Sequence, residues 1–129
     1  MSSKYILAIE TSSSICGAAV IHNNEVLSIE EKDVRRKHAE LLPGLTKASL
    51  NNIKITLDDI DAVAISIGPG SFTGLRIGLG FSKGIAYAKS LPIIPVPSML
   101  SLAYSLREYE PKQGILHSHA NKVFFQTFR

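Results

Sequence analysis

The residues able to do chemistry gather in one stretch, Gly68-Pro69-Gly70-Ser71-Phe72-Thr73-Gly74-Leu75-Arg76-Ile77-Gly78-Leu79-Gly80-Phe81-Ser82-Lys83-Gly84. The preceding run Ala62-Val63-Ala64-Ile65-Ser66-Ile67 reads as a strand, so the order is strand, glycine turn, helix N-terminus. Backbone N–H groups in that order can cradle a phosphate. A Walker-type loop places Lys and then Ser or Thr after its last glycine, whereas Gly74 is followed by Leu75-Arg76. Nucleotide binding through Gly68, Gly70 and Ser71 and a purely structural turn both stay open, with the structural turn preferred.

Other candidates stand apart. Cys16 is the sole cysteine and has no internal disulfide partner, which agrees with a reducing compartment and a buried apolar role. His38 is followed by Ala39-Glu40-Leu41-Leu42, so no second histidine completes a metal face on a helix. His117 and His119 share one face of a strand, a weak metal pair without nearby Cys or acidic ligands. Ser12, Ser13 and Ser14 have no evident His and Asp partners, and Glu10 alone cannot act as both acid and base. Arg35-Arg36-Lys37 is the densest basic cluster, read as a solvated approach to a helix rather than an RNA contact. No catalytic site assembles.

The helix expected over 72–89 says more. Gly74, Gly78, Gly80 and Gly84 each cost about 1 kcal/mol relative to Ala in a helix interior, so something must offset them. At about 100° per residue, Gly74 and Gly78 point one way and Gly80 and Gly84 another. Ile77, Phe81 and Ile85 flank these grooves, and Phe72, Leu75, Leu79 and Ala86 form a second apolar stripe. A helix this apolar needs cover on two sides, and a sheet gives one. The second cover is the preceding helix, the remainder of a longer protein or another chain, and a partner is the preferred reading.

The elements that position these groups follow from periodicity. Residues 4–11 carry apolar side chains on both faces, as a central strand covered on two sides does. Residues 16–22 and 25–31 form a hairpin through Asn23-Asn24, the second strand nearer an edge. A helix runs from about Ala39 to Asn51 with Pro43 in or near its first turn, followed by a turn or capping segment at 56–60. After the glycine helix come a strand at 92–96, a helix capped by Ser98 reaching about Tyr109, and a hairpin over 115–118 and 122–128 around Ala120-Asn121. Three antiparallel strands followed by strand–helix alternation predict an α/β fold with a mixed sheet. The 129 residues, 45% apolar and 19% charged with net charge +3, fit one core, and no apolar run is long enough for a membrane helix. The N-terminal run lacks a signal-peptide core, so a cytoplasmic location is expected.

Three segments resemble the TsaB (YeaZ) family: Ile6-Leu7-Ala8-Ile9-Glu10-Thr11-Ser12, His38-Ala39-Glu40-Leu41-Leu42-Pro43, and the long, specific Gly68-Pro69-Gly70-Ser71-Phe72-Thr73-Gly74-Leu75-Arg76-Ile77-Gly78. The resemblance implies an actin-like, ribonuclease H-like lobe over 1–110 and the start of a second lobe at 111–129. It implies a non-catalytic scaffold, often labelled glycoprotease-like or a chaperone, that pairs with the catalytic subunit TsaD. TsaD transfers threonylcarbamoyl to adenosine 37 of tRNA (t6A), with the ATPase TsaE as third component. A homodimer is expected without TsaD, and tRNA contact is expected to be indirect. The implied interface lies on the helices near 39–51 and 72–89, at Leu41, Leu45, Gly74, Leu75, Gly78 and Leu79. The metal-binding histidine pair of TsaD is not reproduced around His38. An actin-like cleft would put Thr11 and Ser12 beside the phosphate-loop candidates Gly68, Gly70 and Ser71, making an ATP-binding phosphotransferase or chaperone lobe the alternative, with ATP or ADP expected only weakly or through partners. Glu10 stands where the family usually has Asp, which puts nucleotide contact there in doubt. His117-Ser118-His119 takes the place of an Asp-Ala-Arg stretch. Family members run to about two such lobes, so this chain is expected to be a fragment of one.

Overall fold

The structure, a computed structural model, describes residues 4–105, 113–117 and 123–127, with side chains to residue 101. Five strands form one mixed sheet in the order β3-β2-β1-β4-β5. Strands β1 (Tyr5–Glu10), β2 (Ile15–His22) and β3 (Glu25–Asp33) are an antiparallel meander, and β4 (Ala62–Ser66) and β5 (Ile93–Val96) add in parallel beyond β1. Asn23 and Asn24 both take positive φ, 51° and 66°, as the expected tight hairpin turn requires. β3 lies at the edge as its pattern predicts. It extends to Asp33, opposite Ile15, because backbone pairing continues after the apolar alternation stops.

Helices α1 (His38–Asn51) and α2 (Phe72–Lys89) lie side by side on one face of the sheet, α1 over β2 and β3, α2 over β4, β1 and β5. Between sheet and helices sits the core, with Leu7, Cys16, Val20, Leu42 and Val63 fully buried. Pro43 falls at the sixth residue of α1, just past the first turn, because the helix begins one residue before Ala39. It lies on the helix's exposed side with Ala39, whose carbonyl loses its intrahelical donor there. The segment at 56–60 is a short 3-10 turn, Leu57–Asp59, closed by a capping box: Thr56 N–H donates to Asp59 Oδ2 at 2.9 Å while the Thr56 hydroxyl accepts from the turn.

Helix α3 (Ser98–Ser105) corrects another expectation. Ser98 does not cap it: Pro97 O accepts from Ser101 N–H at 3.1 Å, Ser98 N–H donates to Gly68 O at 3.0 Å, and the Ser98 hydroxyl is buried without a partner. The expected continuation to Tyr109 lies outside the described residues, as does the Ala120-Asn121 turn. β6 (Gln113–His117) and β7 (Val123–Thr127) pair antiparallel as a separate ribbon.

The two faces of the sheet differ. Leu7 and Ile9 of β1 point under the helices and are buried, while Ile6, Ala8 and Glu10 point the other way and are half-buried. No helix layer among the described residues covers that second face as the pattern of β1 predicted. A hollow of about 300 Å³ opens there, lined by Ala8, Ala19, Ala64, Ser66, Val96 and Ser101 among others. Ile29 of β3 lies on this open side, 57% exposed, while Ser28 and Glu30 turn toward the helices and accept hydrogen bonds from Asn52 Nδ2 at 3.3 and 2.8 Å.

Candidate functional site: an outward helical face and a filled turn

β1 and β4 run parallel, Ile9 beside Ile65, so their C-terminal ends meet at one edge of the sheet. There the phosphate-loop candidates Thr11, Ser12, Gly68, Gly70 and Ser71 come together, but against each other. Ser71 N–H donates to Ser12 O at 2.7 Å, the Ser71 hydroxyl accepts from Gly74 N–H at 3.1 Å as the N-cap of α2, and Ser71 O accepts from Leu75 N–H at 2.8 Å. A side chain at Gly70 would run into Ser12. Gly68 needs its glycine, with φ at 106°. Of the N–H groups at the start of α2, that of Ser71 is thus taken by the Ser12 carbonyl and that of Gly74 by the Ser71 hydroxyl.

Glu10 projects beside this turn onto the open face. Its carboxylate accepts from Ser12 N–H at 2.8 Å and from the Ser12 and Ser66 hydroxyls. An anion approaching here meets a carboxylate with three donors already committed to it. His38 is buried, and its Nε2 bonds the Ser13 carbonyl at 2.8 Å, tying the start of α1 to the same β1–β2 turn. Cys16 lies fully buried with its thiol 3.8 Å from the His38 carbonyl, and burial pushes its pKa up, away from reactivity. Among the described residues no three His, Cys, Asp or Glu side chains converge on a metal position. His117 falls in β6, and His119 lies outside the described residues.

The glycines of α2 separate cleanly. A Cβ on Gly74 would overlap the Thr11 carbonyl, and one on Gly78 would overlap the Thr11 hydroxyl and stand 2.9 Å from Ile65 Cδ1. Both are buried, and they let α2 lie directly on the end of β1. Among the described residues, nothing outside the helix comes within 4 Å of a Cβ at Gly80 or Gly84. Of the six residues expected at a partner interface, Gly74 and Gly78 are therefore occupied by the chain's own sheet, and Leu45 is core at 7% exposure. Leu41 and Leu75 are half-buried, and Leu79 is 37% exposed.

The outward side of α2 runs Phe72, Arg76, Leu79, Gly80, Lys83, Gly84 and Tyr87. Phe72 is 74% and Tyr87 92% exposed, and Arg76 lies over the Phe72 ring at 5.5 Å. Between the C-terminal halves of α1 and α2 a groove of about 490 Å³ is floored by Leu50, Ile55, Leu57, Phe81 and Ile85. Phe72 and Tyr87 at the ends of this stripe were not among the expected interface residues. Their spacing, fifteen positions apart on the same side as Gly80 and Gly84, was the signal for them.

A model of the family described as "TsaD: tRNA N6-adenosine threonylcarbamoyltransferase" matches residues 10–120. A protein of Haemophilus influenzae, named tRNA threonylcarbamoyladenosine biosynthesis protein TsaB, is 32% identical over 93% of this chain and 52% of its own length. The chain belongs to the TsaD-like family, in its TsaB (YeaZ) group. A TsaB of Buchnera aphidicola subsp. Schizaphis graminum is 38% identical over 92% of this chain and 56% of its own length. The solved structure of YeaZ from Pseudomonas aeruginosa superposes with a TM-score of 0.85 at 29% identity, over 95% of this chain and 58% of that one. The mixed sheet and its helices are thus those of the YeaZ, actin-like fold. The chain spans about half the length of the curated TsaB relatives it matches.

Proposed function

We propose that this chain acts in the biosynthesis of threonylcarbamoyladenosine in tRNA as a non-catalytic lobe that holds a partner. The observation that carries the reading is the outward side of α2, where two open glycines lie between exposed Phe72, Leu79 and Tyr87. Glycine in a helix is unfavourable unless close approach of another backbone rewards it, and Gly80 and Gly84 receive no such approach from within the described chain. The partner is a TsaD-type catalytic protein whose helices pack on α1 and α2, with a TsaE-type ATPase as third component and tRNA reached through the complex. A second copy of this chain takes the same face more weakly in the partner's absence. The names of the relatives support the pathway, and the Ser12 carbonyl seated at the start of α2 supports a holding role over a nucleotide-binding one.

Light scattering after size-exclusion chromatography, on this chain alone and mixed with a TsaD-type protein from the same source, tests the reading. A one-to-one complex is the expected result. A mixture that elutes as two separate folded species counts against it, and titration with ATP then becomes the next measurement.

A further inference from the structure

Charge is spread unevenly over the two ends of the sheet. β1, β3 and β4 all finish at one edge, and α1 and α2 both start there. That edge carries Lys32, Arg35, Arg36, Lys37 and Arg76, which include every arginine among the described residues. Its acids are Asp33, Glu40 and Glu10, and the last already accepts three hydrogen bonds. The opposite edge balances Lys4, Lys54 and Lys89 against Glu25, Asp58, Asp59 and Asp61. Arg76 belongs to the outward face of α2, which leaves Arg35, Arg36 and Lys37 on the loop between β3 and α1. All three are exposed, and none makes an ion pair within the described chain. The loop is pinned at both ends: Val34 N–H donates to Ser14 O at 2.9 Å, and the His38 ring bonds Ser13 O at 2.8 Å. Arg36 has a φ of 57°, so a long cation stands where Gly or Asn would be less strained.

We propose that this loop is an RNA contact, in which Arg35, Arg36 and Lys37 meet the sugar-phosphate backbone of the tRNA held by the complex. The inference rests on the reading of the chain as a lobe of a tRNA-modifying complex and adds a touch on the substrate itself. A guanidinium is planar and pairs two phosphate oxygens at once, and two of them stand side by side here. The Ser13 and Ser14 hydroxyls are exposed on the turn to which the loop is bonded, within reach of the same backbone. A protein interface buries an apolar centre. Between Lys32 and His38 the one apolar residue is Val34, and it packs against this chain's own core. A polyanion needs no such centre. Three cations release few counterions, so the loop alone holds RNA weakly and reinforces the grip of the complex through which the tRNA is reached. Phosphates carry no base identity, so the contact orients the tRNA without reading its sequence.

The test is tRNA binding followed by fluorescence anisotropy, for the chain with a TsaD-type protein from the same source and for the chain alone, at about 50 and about 200 mM NaCl. The double variant Arg35→Glu with Arg36→Glu is compared with Lys4→Glu with Lys54→Glu, which changes the net charge equally at the opposite edge. All four positions are exposed, and melting curves check that both variants fold. The arginine variant is expected to lose about tenfold in the affinity of the complex for tRNA and to lower the slope of log K against log salt by about two, with partner pairing unchanged. The lysine variant is expected to behave as the unaltered chain. Equal losses in both variants assign the effect to net charge and overturn the proposal. Unchanged tRNA binding by the arginine variant overturns it too, while leaving the functional reading intact. Weaker partner pairing by that variant in the absence of tRNA overturns it as well, because the cations would then serve a protein interface, and displacement of the tRNA by equimolar ATP does so in favour of a free nucleotide. If no partner complex forms, the functional reading fails instead, and the chain alone still decides the contact: weak tRNA binding at the lower salt that the arginine variant abolishes supports it, and no difference overturns it.

Discussion

Within one helix, two pairs of glycines four residues apart do opposite things. Gly74 and Gly78 let α2 settle onto Thr11 and Ile65, and the missing side chains are replaced by the chain's own backbone and hydroxyl. Gly80 and Gly84 leave a smooth strip that nothing in the described chain fills. The first pair is a feature of the fold; the second lies where the proposed partner would come. Glycine content alone therefore does not locate an interface; the direction of each glycine, and the atoms already in front of it, does.

The comparison breaks most sharply at Gly78. Gly78→Leu drives a side chain into Thr11 and Ile65 and should lower stability by about 3 kcal/mol or more, read as a shifted denaturation midpoint. A near-normal midpoint would mean that α2 does not sit on β1 as described. Gly84→Trp, on the open side, should leave the midpoint nearly unchanged and weaken partner pairing at least tenfold, about 1.4 kcal/mol, measured by titration calorimetry. Gly80→Ala should raise stability by about 1 kcal/mol, because the helix gains propensity and nothing is displaced. The smallest effect concerns Cys16 beneath α1. Burial raises its pKa above the ordinary value of 9.0, so its contribution is complete below that value and is lost as the pH rises through the folded-state value. A thiol reagent at neutral pH should label it only as fast as the chain opens, and rapid labelling of folded protein would contradict its burial.

Much of the fold was legible because its signals are local. Asn23-Asn24 announced the hairpin, Thr56 and Asp59 the capped turn, and the apolar runs the order of strands. Ser98 misled because it was placed by the usual habit of its residue type, whereas tertiary bonds set the boundaries: His38 starts α1 by reaching Ser13, and Ser98 gives its N–H to Gly68. The candidate site was half legible. Sequence gave the angle between the two glycine grooves but not which one meets the sheet, because the atoms that decide it belong to Thr11, more than sixty positions earlier. The buried Leu45 and the exposed Phe72 and Tyr87 follow from the same missing orientation.

The seat of the Ser12 carbonyl at the start of α2 also orders events in time. β1 is central, yet one of its neighbours, β4, arrives about fifty-five positions later, and Ser71 N–H reaches Ser12 later still. Until α2 has been made, the meander of β1, β2 and β3 presents Leu7, Ile9 and Val20 to water with only α1 to shelter them. Contacts of such long sequence separation slow folding, since the chain loses the entropy of a long loop before they can form. During synthesis the sheet therefore remains sticky until roughly its first ninety residues are free, and the closing of one turn onto another marks the moment its helical face is covered.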